Sequence, residues 1–193
     1  MNNIVHELVK KIGETNPQFS SIELKKMEYG IICMLSDLTK VIIYFAIFYA
    51  FNLQKYFLVS YFFFSSIRIF CGGYHAKTYI GCLIISFIVF LIIIFMNLNC
   101  NLSTIESVIL LSVSIVTIFI VSPVENINKK IKTEQRRRKL KYWSVATGLL
   151  LAGLCFFIPK EFIDIAVFSI VAAAFMAIVG KMHYAYFAKP QLK

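Results

Sequence analysis

Charge is scarce in this chain, and acidic charge scarcer still. Of its 193 residues only 16% are charged, with 10 Asp and Glu against 20 Lys and Arg. A soluble domain is about a quarter charged and near half apolar, whereas here 59% of residues are hydrophobic and the mean hydropathy is +0.76. Cysteines are few and poorly spaced for crosslinking. Cys33, Cys71, Cys82, Cys100 and Cys155 form an odd set without a C-x-x-C pair, which argues against a disulfide framework and a structural metal site. No metal or other cofactor is expected, and no nucleic-acid partner. A cleavable signal is lacking too: MNNIVHELVKKIGETNPQ has no continuous apolar core. Soluble domains, internal repeats and low-complexity linkers are likewise absent from the sequence.

What the chain has is long apolar runs. In YIGCLIISFIVFLIIIFMNL, residues 79–98, 17 of 20 residues are apolar and none is charged. About 20 such residues span the roughly 30 Å hydrocarbon core as a helix, and helices leave no backbone polar group unpaired in lipid. The fold class is therefore an all-α integral membrane protein, one membrane domain over 1–193. Six hydrophobic segments are expected, at about 30–51, 56–70, 79–98, 105–122, 142–158 and 163–180. The second is short and carries Ser65, Ser66 and Arg68, so it either spans or is re-entrant. Residues 1–29 precede the spans. There Ile4, Val5, Leu8 and Ile12 share a helical face, which suits a helix lying in the interface or packed on the rest of the protein. Ser20 and Glu23 make a capping box for a helix starting near Ser21.

Lysine and arginine set the orientation. With all six segments crossing and the N-terminal region inside, 17 basic residues fall on the cytoplasmic side, against Lys55 and Lys160 outside. Both termini then lie in the cytoplasm of a multi-pass plasma-membrane protein. The polar stretch 124–142, which overlaps an expected cytoplasmic loop over 123–141, holds eight basic residues against Glu125 and Glu134. Such a stretch binds anionic lipid at about 1 kcal/mol per basic residue. Asp37 and Lys40, in the first span, are spaced to pair on one helix face.

The chemistry-bearing stretch is RIFCGGYHAKTYIGC, Arg68 to Cys82. On a regular helix His75 and Cys82 would stand roughly 10 Å apart, so they can work together only if the backbone between them bends. Gly72 and Gly73 supply a break. With a helix starting near Thr78, Cys82 falls in its first turns, where the partial positive charge of the N-terminus favours a thiolate. Two readings stand: a cysteine nucleophile with an adjacent base, or an interfacial histidine beside a cysteine that merely fills apolar space. His6 and His183 have no comparable partner in the sequence.

The order Arg68, Gly73, His75, Cys82 (R-x4-G-x-H-x6-C) stands at the start of a hydrophobic segment. SPVENINKK, 122–130, ends the fourth run. Together they resemble the AgrB family of accessory gene regulator proteins of Gram-positive bacteria. The resemblance implies a dimeric membrane cysteine endopeptidase. It would cut the C-terminal part from an AgrD-like precursor peptide and close a thiolactone ring, giving a quorum-sensing signal. Cys82 would be the nucleophile and His75 its base at the cytoplasmic face, with Arg68 and Gly73 as supporting motif residues. Pro123, Glu125 and Asn126 match the downstream motif without an assigned role. Lys129, Lys130, Arg136, Arg137 and Arg138 would suit the acidic tail of such a precursor. Two rival classes remain: a membrane exporter of a small peptide, which should carry intramembrane charges along a pathway, and a lipid acyltransferase using the same cysteine.

Overall fold

A computed structural model describes residues 2–16, 18–74, 76, 78–125, 131 and 133–187. The described residues contain helix and no strand. They form α1 (Asn2–Thr15), α2 (Ser21–Ala50), α3 (Gln54–Cys71), α4 (Tyr79–Asn99), α5 (Thr104–Val121), α6 (Glu134–Leu154), a 3₁₀ turn at Lys160–Phe162, and α7 (Ile163–Phe187). The chain divides into two compact units, Met1–Phe51 and Asn52–Lys193.

In the first unit, α2 opens with the expected capping box. Ser20 Oγ accepts from the Glu23 amide, and the Glu23 carboxylate accepts from the Ser20 amide at 2.9 Å. α1 packs on α2, burying Val5 and Val9 while Leu8 stays half-exposed. Gly13 sits close against Leu24, and His6 Nδ1 lies 3.0 Å from the Glu28 carboxylate. Lys40 is buried and donates to Asp37 at 2.8 Å, a local i,i+3 pair on one helix face.

The second unit is built around α3 and α7. α3 buries Phe57, Ser60, Phe64, Ile67 and Cys71 along one stripe at the i, i+3, i+4 spacing of a helix face. Opposite, α7 buries Ala166, Ala173, Ala174 and Ala177. Small side chains let two backbones approach closely, which is how helices associate where lipid offers as apolar a surface as protein. α4 docks through Phe90, whose ring meets Phe57 and Phe64 edge-on at 5.3 Å each. α6 joins α3 through the Phe70–Trp143 stack at 5.8 Å.

Among the described residues, four helical stretches are long and apolar enough to cross a membrane: Ser21–Ala50, Tyr79–Asn99, Thr104–Val121 and Lys160–Tyr186. On α4 and α5 the apolar side chains Ile80, Ile84, Ile88, Leu91, Ile92, Phe95, Ile109, Val113 and Val116 are exposed. An apolar surface that continuous does not belong in water. The protein is an all-helical membrane protein. α3 and α6, the expected second and fifth segments, are not among the four.

The basic stretch departs from the expected loop over 123–141. From Glu134 onward it is helix, so Arg136, Arg137, Arg138 and Lys141 form the first turns of α6. Glu, Gln, Arg, Lys and Leu are all good helix formers, and charge density alone does not make a loop. α7 also runs on to Phe187, past the expected end at 180.

Candidate functional site

The site is a loop laid between three helices of the second unit. α3 stops at Cys71 because Gly72 takes φ +77°, a left-handed conformation closed to most side chains. Its amide still donates to the Arg68 carbonyl at 3.0 Å. A Cβ on Gly72 would also meet the Val124 carbonyl oxygen at 2.9 Å. The described residues between Gly72 and Thr78 are not helical.

The described part of that loop is held at several points. Val124 donates its amide to the Cys71 carbonyl at 2.8 Å, so the segment after α5 lies beside the loop's first residues. Tyr74 donates its amide to the Met176 carbonyl of α7 at 3.2 Å. The Arg68 guanidinium donates to the Tyr74 carbonyl at 2.7 Å and sits 5.2 Å from the centre of the Phe64 ring. Gly180 of α7 makes the seat: a Cβ there would stand 2.6 Å from the Tyr74 nitrogen and 2.7 Å from the Gly73 carbonyl carbon. Nothing in the sequence pairs Gly180 with Gly73. The one signal is a glycine inside a helix, which costs about 1 kcal/mol against alanine and so calls for a packing reason.

Past the loop, Thr78 caps α4. Its hydroxyl accepts from the Gly81 amide at 3.1 Å, and its carbonyl accepts from the Cys82 amide at 3.0 Å. Cys82 therefore closes the first turn of α4, half-buried. Helical Cα–Cβ bonds tilt toward the helix N-terminus, which is the loop end of α4. A Cβ on Gly81 would stand 3.2 Å from Ala76 Cβ, so the loop returns against this same turn. His183, read as having no partner, meets the Tyr74 ring edge-on at 4.9 Å. Cys71 is fully buried, Cys155 is buried, and Cys33 and Cys100 are half-buried outside this loop.

Of the residues singled out in the sequence, the fold brings Arg68 and Gly73 together in the loop and puts Cys82 in the turn that follows it. Pro123 and Glu125 line a neighbouring cavity with Arg137 and Arg138, where Glu125 and Arg137 form an ion pair. Arg136 is exposed and does not line that cavity. His75, Lys77, Asn126, Lys129 and Lys130 lie outside the described residues. No group of three or more His, Cys, Asp or Glu with metal-site geometry occurs among the described residues.

The fold and the site define a helical membrane protein with a thiol in the first turn of one of its apolar helices. Within that class, this chain belongs to the Accessory gene regulator B family, whose model matches residues 1–178. It is similar to a putative AgrB-like protein of Clostridium beijerinckii, 31% identical over 156 residues, covering 80% of this chain and 78% of that one. It is also similar to the accessory gene regulator protein B of Staphylococcus carnosus, 26% identical over 146 residues and 76% of each chain. No solved structure matches it.

Proposed function

We propose that the protein is a membrane cysteine endopeptidase that processes an AgrD-like precursor and cyclises its product, with Cys82 as nucleophile and His75 as base. The observation that carries this reading is the position of Cys82. It lies half-buried in the first turn of α4, directly after a loop braced by Arg68, Gly180 and Val124. That loop contains the sequence position of His75.

The Cys82 thiolate attacks a precursor carbonyl, forming a C–S bond. The scissile C–N bond breaks, and the C-terminal fragment leaves as an amine protonated by His75. A cysteine thiolate of the precursor then attacks the thioester carbonyl, and the C–S bond to Cys82 breaks. The ring keeps the thioester's activation, because exchange between two thioesters is close to energy-neutral. Water competes for the acyl-enzyme. Apolar surroundings limit it, and the tethered thiol is favoured by its high effective concentration. Wild-type protein mixed with a precursor lacking its internal cysteine should accumulate a hydroxylamine-labile peptide adduct on Cys82, read by intact-mass spectrometry. A fatty-acyl adduct would indicate a lipid acyltransferase. No adduct at all would sink the acyl-enzyme.

The protein works as a homodimer, multi-pass in the plasma membrane, with its basic ends and the active site on the cytoplasmic side. The charge asymmetry supports the orientation: with all six segments crossing, 17 basic residues fall on the cytoplasmic side against two outside. An impermeant thiol reagent on intact cells should label a cysteine placed at 160 and spare one at 135. Labelling at 135 would reverse the orientation.

Of the five basic residues read for the precursor's acidic tail, Lys129, Lys130, Arg136, Arg137 and Arg138, Arg137 is paired with Glu125 and Arg138 lines the neighbouring cavity, so Lys129, Lys130 and Arg136 recruit the tail. Neutralising them should weaken precursor binding and flatten its salt dependence, since exposed charges are screened beyond about 10 Å at 0.1 M salt. An unchanged salt response would leave them only an orienting role.

A further inference from the structure

We propose that the cavity where α5 ends and α6 begins is a binding site for the phosphate of an anionic membrane lipid. The cavity is about 720 Å3 and lies between the C-terminal ends of α5 and α7 and the first turns of α6. One wall is basic, with Arg138, Lys141 and Lys181; the other is apolar, with Phe119, Ile120 and Tyr142.

Four observations fit a lipid. First, the acids in the cavity are already engaged. Arg137 pairs with Glu125 and lies 3.9 Å from Glu134, which leaves the other three cations in excess. Lys181 spends one proton on the Ile120 carbonyl at 3.1 Å, and Lys141 stands 4.2 Å from the centre of the Phe119 ring. An ammonium has three protons, so both keep donors for an anion. Arg138 has no acidic partner among the described residues.

Second, Ser122 lines the cavity at 6% exposure, and its hydroxyl has no hydrogen-bond partner among the described residues. A buried hydroxyl left unpaired is costly, and a phosphate oxygen would satisfy it. Third, the apolar wall is open. Phe119, Ile120 and Tyr142 are 52%, 62% and 71% exposed, a surface that acyl chains can cover and an acidic peptide gains little from. Fourth, the depth is right. The chain's one tryptophan, Trp143, is half-exposed beside Tyr142 at this level. Exposed Trp and Tyr mark the headgroup region, where basic pockets between helices take lipid headgroups. This site is separate from the Cys82 chemistry and does not rest on it.

The test is native mass spectrometry of the full chain, purified in detergent and exchanged with phosphatidylglycerol or phosphatidylcholine. Wild-type protein should retain phosphatidylglycerol preferentially. Arg138→Ala with Lys141→Ala should weaken retention by about thirtyfold, at about fivefold per basic group. Ser122→Ala is the sharper variant. It should lose several-fold in phosphatidylglycerol retention while its lipid-free thermal stability holds or rises, because the hydroxyl removed makes no bond among the described residues. Equal retention of the two lipids, or full retention by Ser122→Ala and the double variant, would overturn the site. Two competitors test the source of the anion. Displacement by millimolar inorganic phosphate would make it a free-phosphate site, and displacement by a glutamate-rich peptide a peptide site. Either result refutes the lipid.

Discussion

Replacing Cys82 by alanine is expected to abolish precursor cleavage, by about three orders of magnitude or more, as loss of a nucleophile does. The protein should still insert, since Cys82 is half-buried at a helix end. His75→Ala should cost nearly as much, because an unassisted thiol is only a few per cent thiolate at neutral pH. The double variant should be no worse than Cys82→Ala, since residues acting as a unit are non-additive. Cys33, Cys71, Cys100 and Cys155 should each tolerate alanine with most activity kept. For Cys71 the reason is steric: at 0% exposure its sulfur offers no approach to a peptide carbonyl. A precursor assay in membranes, with each variant's level matched by immunoblot, reads all of this. Substantial cleavage by Cys82→Ala would end the nucleophile assignment.

Gly180→Ala is expected to cut cleavage by about a hundredfold, although alanine is normally the better helix residue. The two effects oppose one another and can be weighed. Helix propensity favours alanine by about 1 kcal/mol. Against it, the new Cβ would sit 2.6 Å from the Tyr74 nitrogen and 2.7 Å from the Gly73 carbonyl carbon. Those are backbone atoms, which cannot rotate away, so the loop must lift and strain the bond from Tyr74 to Met176. A displacement near 1 Å at a reacting group costs about a hundredfold in rate. Gly153 is the control: nothing lies within 4 Å of a Cβ built there, so Gly153→Ala should cleave normally and be neutral or slightly stabilising. Steady-state cleavage and thermal melts of both variants give the comparison. Wild-type rates in Gly180→Ala would mean that the seat on α7 does not position the loop.

Both expectations rest on a layer that the sequence does not display. Hydropathy marks Phe57, Phe62, Phe63 and Phe64 alike, yet Phe57, Phe63 and Phe64 are buried and Phe62 is half-exposed. In a membrane chain lipid and protein interior are both apolar, so composition cannot tell a lipid-facing residue from a core one. The alternation that marks a buried face in water is blurred for the same reason. That is why α3 reads as a weak span when it forms the packed centre of the second unit. The basic stretch is a different case: its charge does not reveal that its helix-forming residues from Glu134 onward build the first turns of α6.

The sequence by itself determined the membrane class, the helix opened by Ser20 and Glu23, the break at Gly72 and Gly73, and the capped start of α4 just ahead of Cys82. Each of these is local: a run of apolar residues, a cap, or a missing Cβ acts within a few residues of itself. Only the tertiary structure decided that the loop rests on Gly180 and Met176, that Arg68 braces Tyr74 instead of simply adding charge, and that Val124 bonds to Cys71. It also decided that Ser122, whose hydroxyl has no partner among the described residues, lines the same cavity as Arg138 and Lys141. Those contacts join residues far apart in the chain, and they exist because helices carrying small side chains pack closely enough to bring distant backbone within hydrogen-bonding reach.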